Sequence, residues 1–281
     1  MIERRKLRTL AHTSVFYGTF SIAAPTLAFG VLPPFLLAGR VDPRVYRLLW
    51  RVARRYYRFF LGALQATGAI RMDVHYADRV DFSRPAVFVA NHRTLLDVLI
   101  LLALVPDATC LLKSTALRAG SEDAAPRGTM PGIWTAYISA AVKGLGYIPM
   151  PGNWNDHRAL LRVLRECREA LVERQRSLII FPEGTRSPGA HMLPFLDLPF
   201  KAAVEAGVPV VPVVIHVDRP FMPKGSNWID VEQAARYRVE FLEPIEPGPR
   251  VRTKDLSYES RRAIGRRLRR MDAEFGSGLE A

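Results

Sequence analysis

The chain carries short, unbroken apolar runs, each just long enough for one β-strand. The clearest are Ala86 to Ala90, Leu178 to Phe181 and Val208 to Val217, where Val, Ile and Leu follow one another without the alternation of a half-exposed strand. Such runs belong to strands covered on both faces, which constrains this chain more than any other feature. Met72 to Tyr76, Thr109 to Leu112 and Arg238 to Leu242 read as further strands. Helical patterns lie between them. Arg158 to Gln175 places Leu160, Leu164, Cys167 and Leu171 on one face, and Phe200 to Ala206 stops at Gly207. This alternation predicts an α/β fold, a mostly parallel twisted sheet covered by helices. With 281 residues, 49% of them hydrophobic, the chain can bury one core of roughly 180 to 200 residues with appendages at each end.

The formal net charge of +13 suggests a nucleic-acid binder until it is located. Residues 1–60 hold eleven Lys and Arg against two acids, and residues 250–281 hold nine against five. Residues 61–249 therefore carry twenty of each sign and are neutral. A phosphate-tracking stripe would cross the folded domain itself, so nucleic acid is not an expected partner. Cys110 and Cys167 fall in a strand and on an apolar helix face, and read as buried thiols.

Between Arg8 and Arg40, thirty-one residues contain no Asp, Glu, Lys or Arg, a run long enough to span a bilayer. It is too long for a signal-peptide core and shows no small-residue cleavage pattern, so it is expected to remain in the mature protein. Pro25, Pro33 and Pro34 interrupt it, and both flanks are basic. A kinked span and a hairpin dipping into one leaflet both fit, and the flanks favour the cytoplasmic face of the cell membrane. At residues 43–64, Val45, Leu48, Leu49, Val52, Tyr56, Phe59, Phe60 and Ala63 recur at helical spacing, opposite Arg44, Arg47, Arg51, Arg54, Arg55 and Arg58. That pattern suits a helix with its apolar face in the acyl boundary and its arginines at lipid phosphates, the reading the adjoining apolar run favours, and it also fits an ordinary surface helix packed on the domain. The expected organisation is membrane-associated helices over 1–66, the main globular domain over 67–250, with a loop at 118–130, and a basic C-terminal helix over 251–281, packed at the edge or lying on the membrane.

The strand ending at Ala90 runs straight into Asn91 and His92, placing an imidazole at the carboxyl end of a strand, where ligand crevices open in such sheets. Asp97 follows in the first turns of the apolar helix LLDVLILLALV and can reach back to the ring. A carboxylate there fixes the tautomer and stabilises the imidazolium formed when the other nitrogen takes a proton. The pair can act as a general base on a hydroxyl. The segment FPEGTRS at 181–187 follows another buried strand, so it should open at the same edge. Its turn from Glu183 through Gly184 offers free N–H groups, with Thr185, Arg186 and Ser187, for an anion.

Together, in this order and ninety-one residues apart, these elements resemble the glycerolipid acyltransferase family, which includes bacterial 1-acylglycerol-3-phosphate acyltransferases. Asn91, His92 and Asp97 match its NHxxxxD box, Glu183 to Ser187 match its EGTRS box, and VPVVPVVI at 208–215 resembles its closing strand. The resemblance covers roughly residues 70–250. It implies transfer of a fatty acyl group from coenzyme A or acyl-carrier protein to a hydroxyl of a lysophospholipid. His92 would be the base, Asp97 its orienter, and Asn91 and the EGTRS turn would lie with the substrate. No metal or cofactor beyond the donor is implied, and no HExxH or His and Cys cluster suggests one. The absence of GxSxG argues for direct attack on the thioester. One departure stands out. Relatives place an arginine for the acceptor phosphate at the end of a glycine-rich segment, where this chain reads KGLGYIPMPG with Met150 at that place. Likewise a Lys-Gly pair of relatives reads Lys201 then Ala202. Either Arg186, Lys113, Lys143 or Arg158 holds the phosphate, or the acceptor is a phosphate-free alcohol such as an amino-acid lipid, a glycolipid or a polyketide-like alcohol.

Overall fold

The computed structural model describes residues 7, 9–18, 26–39, 42, 44–94, 96–113, 144–151, 156–187, 192–219, 221, 234–248 and 251–276. Lys143 and the 118–130 loop lie outside them. Helix α1 (Leu32–Gly39) continues a π-helical turn at Thr26–Val31, and α2 (Arg44–Ala66) follows. The strands are β1 (Ile70–His75), β2 (Val87–Ala90), β3 (Ala108–Lys113), β4 (Ile148–Met150), β5 (Ser177–Ile180), β6 (Val210–Val217) and β7 (Ala235–Phe241). Four further helices are α3 (Leu96–Leu104), α4 (His157–Arg168), α5 (Leu198–Ala206) and α6 (Thr253–Phe275).

The strands form one sheet in the order β1-β7-β6-β2-β5-β3-β4. Five of them, from β6 across to β4, run parallel, so their carboxyl ends share one edge. β7 pairs antiparallel with β6 and parallel with β1, which makes the sheet mixed rather than wholly parallel. The continuous apolar runs are explained by two covered faces. Phe88 and Ala90 of β2 pack with α2 and α3, while Val87 and Val89 pack with α4 and α5. Cys110 and Cys167 are free, buried thiols on opposite faces of the sheet, which keeps them apart. Strand β4 escapes the sequence pattern because it is three residues long with an exposed proline at its centre, admissible only on an edge.

Helix α2 departs from the sequence expectation. Leu49, Ala53, Tyr57, Phe60, Leu61 and Leu64 lie in the protein core instead of an acyl boundary. The apolar arc is wide enough that its centre meets the sheet and α3 while its margin, Leu48 and Phe59, stays outside among Arg44, Arg47, Arg51, Arg55 and Arg58. Arg54 turns back to donate to the carbonyls of Ala103 and Leu104, capping α3. Upstream, residues 9–18 are helical, and the Phe16 ring meets Phe60 and Phe221 edge-on at 5.6 and 5.9 Å. Among the described residues no helix is long and apolar enough to cross a membrane. The C-terminal helix packs on the sheet: Ile264, Leu268 and Met271 of α6 bury Val214 of β6.

Placing α2 in the core has a measurable consequence. Phe60→Ala is expected to destabilise the fold by about 3–5 kcal/mol. Phe59→Ala, at a site 66% exposed, should barely move the midpoint of thermal unfolding in detergent.

Candidate active site

β2 delivers Asn91 and His92 to the shared edge, and its neighbours deliver the rest. Asn91 is buried, and both ends of its amide are engaged on β6: Nδ2 donates to the Ile215 carbonyl at 2.8 Å and Oδ1 accepts from the Ile215 N–H at 2.9 Å. It therefore acts as a clamp between strands, where the motif had placed it with the substrate. His92 is 16% exposed at its side chain, with Nδ1 2.9 Å from Oδ2 of Asp97. The Phe181 ring lies against it at 4.4 Å between centroids and limits its rotation. With Nδ1 held, Nε2 has no hydrogen-bond partner among the described residues.

Asp97 sits in the first turn of α3 and is fully buried. Its Oδ2 also accepts the N–H groups of Arg93 at 2.6 Å and Thr94 at 2.7 Å, and its Oδ1 accepts the Thr94 hydroxyl at 2.6 Å. The Tyr237 hydroxyl from β7 donates in turn to Thr94 Oγ1 at 3.0 Å. Burial first, and the nearby Asp97 charge second, push the Tyr237 phenol well above its ordinary value, so it remains a donor. Thr94 and Tyr237 were not singled out from sequence. Thr94 lies inside the first box with no recognisable chemistry of its own, and Tyr237 is 143 residues away.

The second box is stitched to the first through the backbone of His92. Its N–H donates to Glu183 Oε1 at 3.0 Å, and its carbonyl accepts the Ser187 N–H at 2.8 Å. The other Glu183 oxygen takes the Ser187 hydroxyl and the Leu193 N–H. Glu183 and Ser187 are thus buried braces. Gly184 closes the turn with its N–H on the Phe181 carbonyl at a φ of 69°, a left-handed conformation that a side chain would strain. Thr185 is exposed and Arg186 half-buried, and among the described residues neither side chain has a hydrogen-bond partner. These two are the groups the turn offers to an anion.

Lys113 ends β3 at the same edge, although its side chain lies outside the described residues, as does Lys143. Arg158 is exposed in the first turn of α4. Met150 turns into the core beside Val163 and Leu164, so an arginine there would bury its charge among apolar side chains. Among the described residues no group of His, Cys, Asp and Glu could hold a metal ion.

If Asn91 clamps β2 to β6, Asn91→Ala should cost about 1–3 kcal/mol for each backbone group it strands. Chemical denaturation would register that loss, while KM for the acceptor stays near the parent value.

A family model described as Acyltransferase matches residues 71–216, from β1 to the end of β6. The chain is 29% identical over 209 residues to the chloroplastic 1-acyl-sn-glycerol-3-phosphate acyltransferase BAT2 of Brassica napus, covering 72% of this chain and 55% of that protein. It is 28% identical over 222 residues to the mouse 1-acyl-sn-glycerol-3-phosphate acyltransferase alpha, covering 78% of this chain and 67% of the relative. The chain thus spans little more than half the length of the Brassica relative. The crystal structure of the 1-acyl-sn-glycerophosphate acyltransferase PlsC from Thermotoga maritima superposes with a TM-score of 0.69 at 24% identity, covering 96% of this chain and 98% of that one, a likeness of fold. With a family match over more than half of its length and both boxes assembled at one sheet edge, the protein belongs to the glycerolipid acyltransferase family.

Proposed function

We propose that the protein transfers a fatty acyl group from an acyl-coenzyme A or acyl-carrier-protein thioester to a hydroxyl of a lysophospholipid resembling 1-acylglycerol-3-phosphate. The observation that carries this reading is the His92–Asp97 pair, with Nε2 left for substrate, bound through its own backbone to the Gly184 turn. The acceptor hydroxyl gives its proton to Nε2 as its oxygen attacks the thioester carbonyl. Asp97 stabilises the resulting imidazolium through Nδ1. The tetrahedral intermediate collapses by breaking the C–S bond, and the imidazolium returns the proton to the departing sulfur. The new ester and a free thiol result, and no metal or cofactor beyond the donor is required.

The names of the relatives support a glycerol-phosphate acceptor, and Arg186, half-buried in the turn that is hydrogen-bonded to the His92 backbone, suits its phosphate. A second reading, a phosphate-free lipid alcohol, rests on the sequence departure at Met150, where relatives place the arginine for the acceptor phosphate. We also place the protein at the cell membrane, with its catalytic domain on the cytoplasmic side. The outer stripe of α2 supports contact with a membrane surface, because Leu48 and Phe59 stand exposed among five exposed arginines, and Leu10, Phe29 and Leu37 upstream are exposed too.

Acyl transfer by the detergent-purified protein from both donors, to lysophosphatidate beside phosphate-free lipid alcohols, tests the assignment. His92→Ala should lower turnover by about a hundredfold to ten-thousandfold while vesicle binding persists. Undiminished turnover in that variant would remove His92 from the chemistry. Transfer only to the phosphate-free alcohols would decide for the second reading.

A further inference from the structure

Arg93 follows the proposed base directly, yet its guanidinium does not reach solvent. Its side chain is 1% exposed and meets Asp272 in the last turns of α6, with one terminal nitrogen 2.8 Å from Oδ1 and the other 2.9 Å from Oδ2. This is a two-pronged ion pair across 179 residues, the geometry in which an arginine has least freedom. The same Asp272 carboxylate lies 3.4 Å from Nε2 of His216, which meets the Gly276 carbonyl at 2.9 Å just beyond the end of α6. His216 adjoins Ile215, the residue clamped by Asn91. The loop after β2, the end of β6 and the end of α6 therefore close a ring.

The ring bears on the chemistry through the backbone. The N–H groups of Arg93 and Thr94 belong to the peptide planes on either side of the Arg93 α-carbon, and both point at Asp97 Oδ2, the oxygen that faces His92 Nδ1. Fixing the guanidinium fixes the Arg93 α-carbon, and with it the two donors that aim the carboxylate. Resting on the acyl-transfer role of His92 set out above, we propose that Asp272 is a positioning residue. By holding Arg93 it keeps Asp97 aligned with the imidazole, so the end of the C-terminal helix is part of the catalytic apparatus.

A second two-pronged pair gives the control. Arg267 of α6 holds Glu240 of β7 at 2.5 and 2.6 Å and fastens the same helix without touching the 91–94 loop. Three readouts on the full chain in detergent separate positioning from simple anchoring: steady-state acyl transfer to lysophosphatidate, the melting temperature, and the downfield Nδ1 proton resonance of His92 by NMR. Asp272→Asn is expected to lower kcat by about tenfold to a hundredfold. KM for donor and acceptor should stay within about twofold. The His92 resonance should move upfield or broaden away. The double variant Glu240→Gln with Arg267→Gln should lower the melting temperature but keep kcat and the resonance. The proposal is overturned if Asp272→Asn leaves both kcat and the resonance at parental values, or if the double variant loses kcat equally. Should the parent protein turn over no acyl thioester, the acyl-transfer reading falls, and the His92 resonance alone still decides whether Asp272 positions the ring.

Discussion

One buried carboxylate, that of Glu183, holds the two halves of the site in a single frame. A charge removed from water is tolerable only when its lone pairs are met, and here three donors do so: the His92 N–H, the Ser187 hydroxyl and the Leu193 N–H. Since one of these donors is the backbone of the base and the others come from the turn and the chain beyond it, base and turn cannot shift independently. Reactions of this kind are governed by the relative placement of a hydroxyl, a carbonyl and a proton acceptor. The frame supplies that placement from main-chain groups, which have far less freedom than side chains.

Around that frame the molecule is layered, with α2 and α3 on one face of the sheet and α4, α5 and α6 on the other. Each outer layer also touches the site directly. From one side α3 supplies Asp97, and from the other α6 supplies Asp272. Stability and reactivity are therefore joined in this fold. Burial of α3 holds the Asp97 carboxylate, and burial of Ile264, Leu268 and Met271 seats the helix that ends at Asp272.

What could be read from the sequence followed local physics. Runs such as Val87 to Ala90 announced strands because burial on both faces demands continuous apolarity, and the spacing of His92 and Asp97 announced a hydrogen-bonded pair because five positions let the carboxylate reach back to the ring. The misreadings have a common origin in long-range structure. Helix α2 has the pattern of a membrane-surface helix, and only the presence of β2 and α3 beneath it shows that its apolar arc has a protein partner. Asn91 and Glu183 were legible as motif residues but not as braces, since their partners Ile215 and the His92 N–H lie 124 and 91 residues away. Arg93, Thr94, Tyr237 and Asp272 form a network whose members have no distinctive spacing. Met150 stood out as a missing arginine, but its place in the apolar layer appears only once β4 is paired with β3.

The central position of β2 has a consequence for how the enzyme comes into being. Val87 pairs with Leu178 on one side and with Val210 on the other, so neither neighbour of the catalytic strand has been synthesised when His92 and Asp97 leave the ribosome. The dyad is assembled from adjacent residues, yet the walls that make it useful arrive about ninety and one hundred and twenty residues later. Loops of that length slow folding, and during the wait both edges of β2 lack a strand partner. Until then the strand that carries His92 presents two unpaired edges, the kind of surface that recruits other chains, and the return of β5 and β6 closes both.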